Sequence, residues 1–328
     1  MATDGTTEQI TLGASGIAVA PLGVGTWSWG DTRFWGYGKE YGRAEIADAF
    51  AASVAAGITL FDTAEVYGQG ESERLLGALL READPSADAA ARAPIVIATK
   101  FAPLPWRFGA RSLRRALDAS LERLGVARVA LYQIHFPYSL IGIPTLMDAL
   151  ADAVADGQVG AVGVSNYGAE QMRRAHEALA RRGVPLATNQ LQYNLLARRP
   201  ERDGTLAACR ELGVTLIAYS PLAQGLLTGK YRPGGPTPSG FRRWQPLFRG
   251  RDARRLAGLL DLLRGIGEDH GGKTPAQVAL NWLIAQGTVP IPGAKNRAQA
   301  SGNAGALGWS LDAAEVAALA TASRHWQR

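Results

Sequence analysis

Short apolar runs alternate with longer amphipathic runs along almost the whole chain, and this alternation restricts the fold more than any other feature. The runs Ala20–Trp27, Ile58–Phe61, Ile95–Thr99, Val129–Ile134, Val159–Val164, Leu186–Gln190, Val214–Ala218 and Thr288–Ile291 are short, uniformly apolar and bounded by turn residues. They read as strands buried on both faces, which belong to a parallel sheet covered by helices. Between them, Glu45–Ala56, Glu71–Glu82, Arg111–Leu124, Thr145–Asp156, Ala169–Arg182 and Gly204–Leu212 read as helices; in the third, Leu113, Leu117, Leu121 and Leu124 fall at helical spacing. Further helices are expected around Ala298–Gly302 and Asp312–Ala320. Eight near-evenly spaced strands predict an α/β chain closed into a (β/α)8 TIM barrel, rather than an open doubly wound sheet. No Gly-x-Gly-x-x-Gly follows a strand, which leaves the open dinucleotide fold without support.

Ahead of the barrel, Ile10–Leu12 and Ile17–Val19 flank Gly13-Ala14-Ser15-Gly16 and predict an N-terminal β-hairpin. A barrel needs about 250 residues. The chain has 328, and the surplus lies in the aromatic segment Trp29–Tyr41 and in Leu222–Arg251, long loops at the C-terminal face. The Ala- and Asp-rich stretch Asp84–Ala93 reads as a surface connection, so a single domain is expected over residues 1–328.

Barrel enzymes assemble their sites where the strands exit. Here the second strand delivers Asp62, with Tyr67 on the loop beyond it, the third Lys100 and the fourth His135. The fifth, sixth and seventh deliver Ser165-Asn166, Asn189-Gln190 and Tyr219-Ser220. Each has a bland reading alone: a turn cap, a packed loop tyrosine, a satisfied structural histidine. Six successive exits converging on one rim favour a site. A phenol titrates near about pH 10. A lysine ammonium beside it favours the phenolate and lowers that value, and a carboxylate holds the ammonium in place. Asp62, Lys100 and Tyr67 therefore read as a proton-donor set, with His135 orienting a carbonyl oxygen. Such a set suits carbonyl reduction, and the hydride must come from a cofactor because no side chain supplies one.

Gly225-Leu226-Leu227-Thr228-Gly229-Lys230 supplies flexible backbone and a cation suited to a pyrophosphate, or is an ordinary glycine-rich turn. Lys295, just past the last strand, is positioned to meet a 2′-phosphate. Trp27, Trp29, Trp35, Trp106, Phe136 and the Arg242–Trp244 loop are read as pocket walls, the alternative for the aromatic segment being a folded-down plug.

The motifs Phe61-Asp62-Thr63-Ala64-Glu65-Val66-Tyr67-Gly68, Thr99-Lys100, Ile134-His135 and Gly163-Val164-Ser165-Asn166 resemble those of the aldo-keto reductases. Asn189-Gln190, Tyr219-Ser220-Pro221-Leu222 and Ile291-Pro292-Gly293-Ala294-Lys295-Asn296 follow in the same family order. The resemblance covers nearly the whole chain and extends to bacterial NADPH-dependent members similar to potassium-channel β-subunit-like reductases. It implies that Asp62, Tyr67, Lys100 and His135 form a catalytic tetrad with Tyr67 as acid. It also implies that Ser165, Asn166 and Gln190 hold the nicotinamide carboxamide and that Tyr219 stacks on the ring. Thr26 and Trp27 match positions beside the nicotinamide and the substrate. Ser220, Pro221, Leu222, Gln224, Gly225, Lys230, Gly293, Lys295, Gln299 and Asn303 match further cofactor-side positions. Three departures are visible: Gly293-Ala294 where the family often has Lys-Ser, Gly302 where glutamate is common, and Phe136 where tryptophan is frequent. The implied activity is NADPH-dependent reduction of an aldehyde or ketone, NADH being the lesser cofactor. The alternative class is a cofactor-binding accessory or sensor subunit with little turnover.

Other signals point away from different functions. Thirty-five Lys and Arg against 29 Asp and Glu give +6, scattered over helices without an aromatic-interleaved basic tract, so nucleic acid is not an expected partner. Cys209 is the one cysteine and reads as a packing residue inside a helix. Met1–Ile10 is polar and acidic, unlike a secretory signal, and no apolar run reaches membrane-spanning length; a cytoplasmic protein is expected. Gly267–Thr274 has P-loop spacing but follows a helical run, so Thr274-Pro275 reads as a helix start. His176, His270 and His325 show no metal-ligand spacing, and Glu65 with Asp62 fits a glycosidase pair less well than Lys100 fits a reductase.

Overall fold

In the computed structural model, which describes residues 9–83, 94–231 and 250–326, the inner faces of the strands divide into two layers. The Asp84–Ala93 connection, the Arg242–Trp244 loop and residues 1–8 lie outside the described residues. Eight parallel strands run in chain order: β3 (Val24–Gly25), β4 (Leu60–Asp62), β5 (Val96–Phe101), β6 (Val129–Ile134), β7 (Val159–Ser165), β8 (Leu186–Gln192), β9 (Thr215–Tyr219) and β10 (Val289–Pro290). The two ends of the sheet meet, with the Gly23 and Gly25 amides donating to the Pro290 and Pro292 carbonyls at 3.0 and 3.1 Å. The barrel is closed.

The hairpin β1 (Ile10–Thr11) and β2 (Ala18–Val19) pairs Ile10 with Val19 and covers one end of the barrel. Leu12 and Val19 are fully buried against inward-facing Leu60, Val96, Ala98, Leu131, Ile217 and Ile291. Each of the leucine, valine and isoleucine side chains among them contributes about 1.5–3 kcal/mol. Toward the strand exits the inward layer turns polar, with Lys100 paired to Gln133 and Ser165 to Gln190 in neighbouring strands. The alternation within β5 shows how this arises. Val96, Ala98 and Lys100 share the inward parity, while Ile97 and Phe101 join the larger core between barrel and helices.

That outer layer contains α1 (Arg43–Ala55), α2 (Glu71–Glu82), α3 (Gly109–Leu124), α4 (Ile143–Ala155), α5 (Ala169–Ala180), the short α6 (Arg199–Arg202) and α7 (Thr205–Glu211). After β9 come α8 (Gly250–Asp269), α9 (Pro275–Ala285), α10 (Arg297–Ala304) and α11 (Ala313–Ala322). Most expected elements fall within two residues of their observed bounds. The first strand is the exception. Ala20–Val24 is buried throughout, yet only Val24–Gly25 joins the ladder, so the apolar signal there reports burial more than pairing. The last strand is cut to two residues, and Pro290 within it has no N–H to donate. Thr274 caps α9, its hydroxyl accepting from the Gln277 amide at 3.3 Å while Gln277 Oε1 accepts from the Thr274 amide at 2.8 Å. That is a capping box, with Pro275 in the first turn. Buried Cys209 lies 3.6 Å from the Met172 sulfur, and burial pushes its thiol up to about 12. Among the described residues no helix is long and apolar enough to cross a membrane, and no cluster of three acidic, histidine or cysteine side chains could hold a metal.

Candidate active site

Asp62, Tyr67, Lys100 and His135 meet at the strand exits. Lys100 is fully buried in β5, and its ammonium donates to Asp62 Oδ2 at 2.5 Å, to the Thr63 carbonyl at 2.8 Å and to Tyr67 Oη at 3.4 Å. The same nitrogen lies 4.9 Å from the centre of the Tyr67 ring. Burial works against the charge on Lys100, but Asp62, Tyr67 and their hydrogen bonds together raise its pKa and keep it protonated. For Tyr67, burial raises the phenol pKa, the Lys100 ammonium opposes this and the Asp62 charge adds to it. The net direction is upward, opposite to the sequence expectation, because burial among the surrounding side chains disfavours the phenolate more than one ammonium stabilises it. A phenol that keeps its proton at neutral pH is the form a proton donor needs.

His135 is buried with its imidazole stacked on Phe136, ring centres 4.2 Å apart, and edge-on to Tyr67 at 5.7 Å. Burial and the Lys100 charge push its pKa down to about 2, so the ring is neutral. Its Nδ1 meets no hydrogen-bond partner among the described residues. A buried polar atom left without a partner is uncommon in a native fold and marks this ring as held for something other than packing.

A residue not singled out from the sequence completes the carboxylate's surroundings. Gln133, in the middle of β6 and fully buried, donates to Asp62 Oδ1 at 3.2 Å, and Gln190 donates to the same oxygen at 2.8 Å. Both oxygens of Asp62 are thus held before any ligand arrives. The visible signal was a glutamine inside the otherwise apolar run Val129–Ile134. Gly163 makes room for it: a Cβ there would sit 2.2 Å from Thr188 Oγ1 and 2.9 Å from Gln133 Cγ. Gly163→Ala is therefore expected to destabilise the fold by about 1–3 kcal/mol. Urea unfolding monitored by circular dichroism would show it as a lowered midpoint at unchanged m-value.

The residues expected to hold a cofactor form a connected set on β7, β8 and β9. Ser165 Oγ donates to the Gln190 carbonyl at 3.0 Å, and Asn166 Nδ2 donates to the His135 carbonyl at 3.1 Å. Asn166 Oδ1 accepts from the Tyr219 hydroxyl at 3.0 Å. Asn166, Ser220, Ala223 and Gln224 all have left-handed backbone, φ 63°, 51°, 48° and 56°. Each such residue costs about 1–3 kcal/mol, and their concentration on two neighbouring rim loops fits a cradle shaped for a ligand. Gly225 continues the loop at φ 97°, a value that favours glycine. Pro221 is buried, Leu222 is half-buried and Lys230 is exposed at the loop's end. On the facing side, Asn303 Nδ2 donates to the Gly293 carbonyl at 3.3 Å, and Gln299 Oε1 accepts from the Lys295 amide at 2.9 Å.

Several expected contacts are altered. The Thr26 hydroxyl is fully buried and committed to the Asp62 carbonyl at 3.0 Å and to Ser72 at 2.7 Å, so it supports the strand end from below. The Gln190 amide nitrogen is directed at Asp62. Lys295 reaches back to the Trp35 carbonyl at 2.9 Å, over the rings of Trp35 and Tyr41. Trp29 is corrected from pocket wall to core: it is fully buried, packs on Phe61 and donates from its indole to the Ala294 carbonyl at 2.8 Å. Trp106 faces a neighbouring groove that none of the four central residues lines. Trp27 and Phe136 do border the cleft; Trp27 lies 6.3 Å from the Tyr67 ring and packs on Phe34 and Trp35. Glu65 is tied to Arg107 and the Ala102 amide, away from Asp62.

Comparison with known proteins agrees with this architecture. The sequence model of the Aldo/keto reductase family matches residues 21–324. The chain is 40% identical over 317 residues to the chloroplastic pyridoxal reductase of Arabidopsis thaliana, covering 93% of this chain and 82% of that one. It is 35% identical over 309 residues to the L-glyceraldehyde 3-phosphate reductase of Escherichia coli, covering 90% and 86%. Among solved structures, a glycerol dehydrogenase from Gluconobacter oxydans superposes with a TM-score of 0.82 at 28% identity, covering 98% of this chain and 97% of that one. With its barrel, its strand-end residues and these matches in agreement, the chain belongs to the aldo/keto reductase family, nicotinamide-dependent oxidoreductases that act on carbonyls.

Proposed function

We propose that the protein reduces an aldehyde to an alcohol, with NADPH as the hydride source and Tyr67 as the proton donor. The single observation behind this reading is the Lys100 ammonium standing between the Asp62 carboxylate and the Tyr67 hydroxyl. Bound in the cradle formed by Ser165, Asn166, Tyr219 and the Ser220–Gly225 loop, a reduced nicotinamide would supply hydride to the carbonyl carbon. The chain's own residues manage the oxygen. His135, neutral, donates an N–H to it and fixes its direction toward Tyr67. Tyr67 releases its proton as negative charge grows on that oxygen. The phenolate left behind is stabilised by Lys100, whose position Asp62, Gln133 and Gln190 maintain. Trp27 and Phe136 flank the cleft with aromatic surface and limit the entry of water.

NADPH is favoured over NADH because Lys295 and Arg297 flank the start of α10, beside the family's adenine-side positions Gln299 and Asn303. An aldehyde is favoured over a ketone because the relatives are named for pyridoxal and L-glyceraldehyde 3-phosphate. The test is direct: enzyme mixed with NADPH and a panel of aromatic and aliphatic aldehydes should consume reduced nicotinamide, and NADH should support a lower kcat/KM. Tight NADPH binding without turnover on any carbonyl would instead support an accessory or sensor role.

A further inference from the structure

An open groove of about 540 Å³ runs along α3 from Arg111 to Arg123. Four guanidinium groups border it. Arg107 is neutralised by Glu65, and Arg123 by buried Glu73 at 2.6 Å. Arg111 and Arg115, one helical turn apart and both exposed, pair with no acidic group among the described residues. The first turn of the helix lacks an acidic residue, Phe108 gives it no side-chain cap, and Asp118, farther along, accepts from Gln158. At the open edge stand Trp106, 71% exposed, and Phe108, 69% exposed. Two large rings held in water beside uncompensated cations have no role in the packing of the barrel.

We propose that this groove is a second binding site, for a small aromatic molecule that carries a phosphate group. Arg111 and Arg115 sit at i and i+4, about 6 Å apart at their Cβ atoms. They present two planar donor forks to one anion with several oxygens, which is how guanidinium groups recognise phosphate. Trp106 and Phe108 offer flat faces to a ring attached to that phosphate. The volume lies in the range of small-molecule sites and exceeds what an inorganic ion fills. None of Asp62, Tyr67, Lys100 and His135 lines the groove, and Glu65, which does, lies on the segment between Asp62 and Tyr67.

The test is calorimetric titration of the full-length protein with phenyl phosphate, inorganic phosphate and phenol as probes. Phenyl phosphate should bind more tightly than inorganic phosphate, and phenol should not bind measurably. R111Q/R115Q should weaken phenyl phosphate by about tenfold or more, in keeping with the loss of charge-assisted hydrogen bonds. Both side chains are exposed, so the variant should keep the thermal midpoint of the parent, and its carbonyl reductase activity without the probe should be unchanged. Trp106→Ala should weaken phenyl phosphate while leaving inorganic phosphate unaffected. Equal phenyl phosphate affinity in R111Q/R115Q, equal affinities for the two phosphates, or no binding of either would each overturn the proposal.

Discussion

Tyr67→Phe is expected to lower kcat by about 10²–10⁴-fold while leaving cofactor affinity within about twofold. Removing one oxygen takes away the proton source and nothing that holds the fold, because Tyr67 Oη has Lys100 as its hydrogen-bond partner and its ring remains against His135 and Trp27. Lys100 keeps its two stronger contacts, to Asp62 and the Thr63 carbonyl. Stopped-flow reduction with saturating cofactor separates the effects: binding should persist, and the hydride-transfer phase should collapse. The parent's pH profile carries the same information. The active form is the protonated phenol, and its pKa lies above the ordinary value. Turnover should therefore hold through neutral and mildly alkaline pH and fall only above about 10. His135 stays neutral throughout that range and adds no inflection. A Tyr67→Phe enzyme that turns over at the parent rate would remove the proton-donor role.

Much of this site was legible in the chain because a barrel converts order along the sequence into position on a rim. Asp62, Lys100 and His135 each end an apolar run, and parallel strands place such residues side by side. What the sequence could not show were contacts across the barrel or between distant loops. Gln133 looks like an oddity within one strand until it and Gln190, 71 and 128 residues from Asp62, are seen to surround one oxygen of that carboxylate. Lys295 and Trp35, separated by 260 positions, give no local sign of their contact. The tryptophans failed differently. Aromatic density marks a loop as important, but Trp27 and Trp29 are two residues apart and only the first faces the cleft. In an irregular segment no period of two or 3.6 residues assigns a direction to the side chain. The direction of the Tyr67 shift was missed for a related reason: the ammonium was visible as a partner, whereas the desolvation around it depends on walls contributed by several loops.

The buried ion pair leads to the largest expected loss of stability. Asp62→Asn should destabilise the fold by about 3–5 kcal/mol, because it leaves the Lys100 ammonium in the barrel without its counter-charge. The geometry makes this substitution worse than loss of charge alone. The asparagine NH2 must face either the Lys100 ammonium or the two amide donors of Gln133 and Gln190, and both arrangements oppose donor to donor. Lys100→Met should be milder, since Asp62 keeps the two glutamine donors while its ammonium partner is replaced by an apolar chain. The double variant should then be more stable than the sum of the single losses implies, with a coupling of about 1–3 kcal/mol. None of the three should reduce a carbonyl at a measurable rate, as each removes part of the support for the Tyr67 phenolate. Urea unfolding of the four proteins closes the cycle. Strictly additive losses, or an Asp62→Asn cost below about 0.5 kcal/mol as at an ordinary surface position, would mean that the pair is solvated and that the charge next to Tyr67 is not set by the barrel. A clear coupling together with lost turnover would tie stability and chemistry to the same two atoms, the Lys100 nitrogen and the Asp62 oxygen facing it.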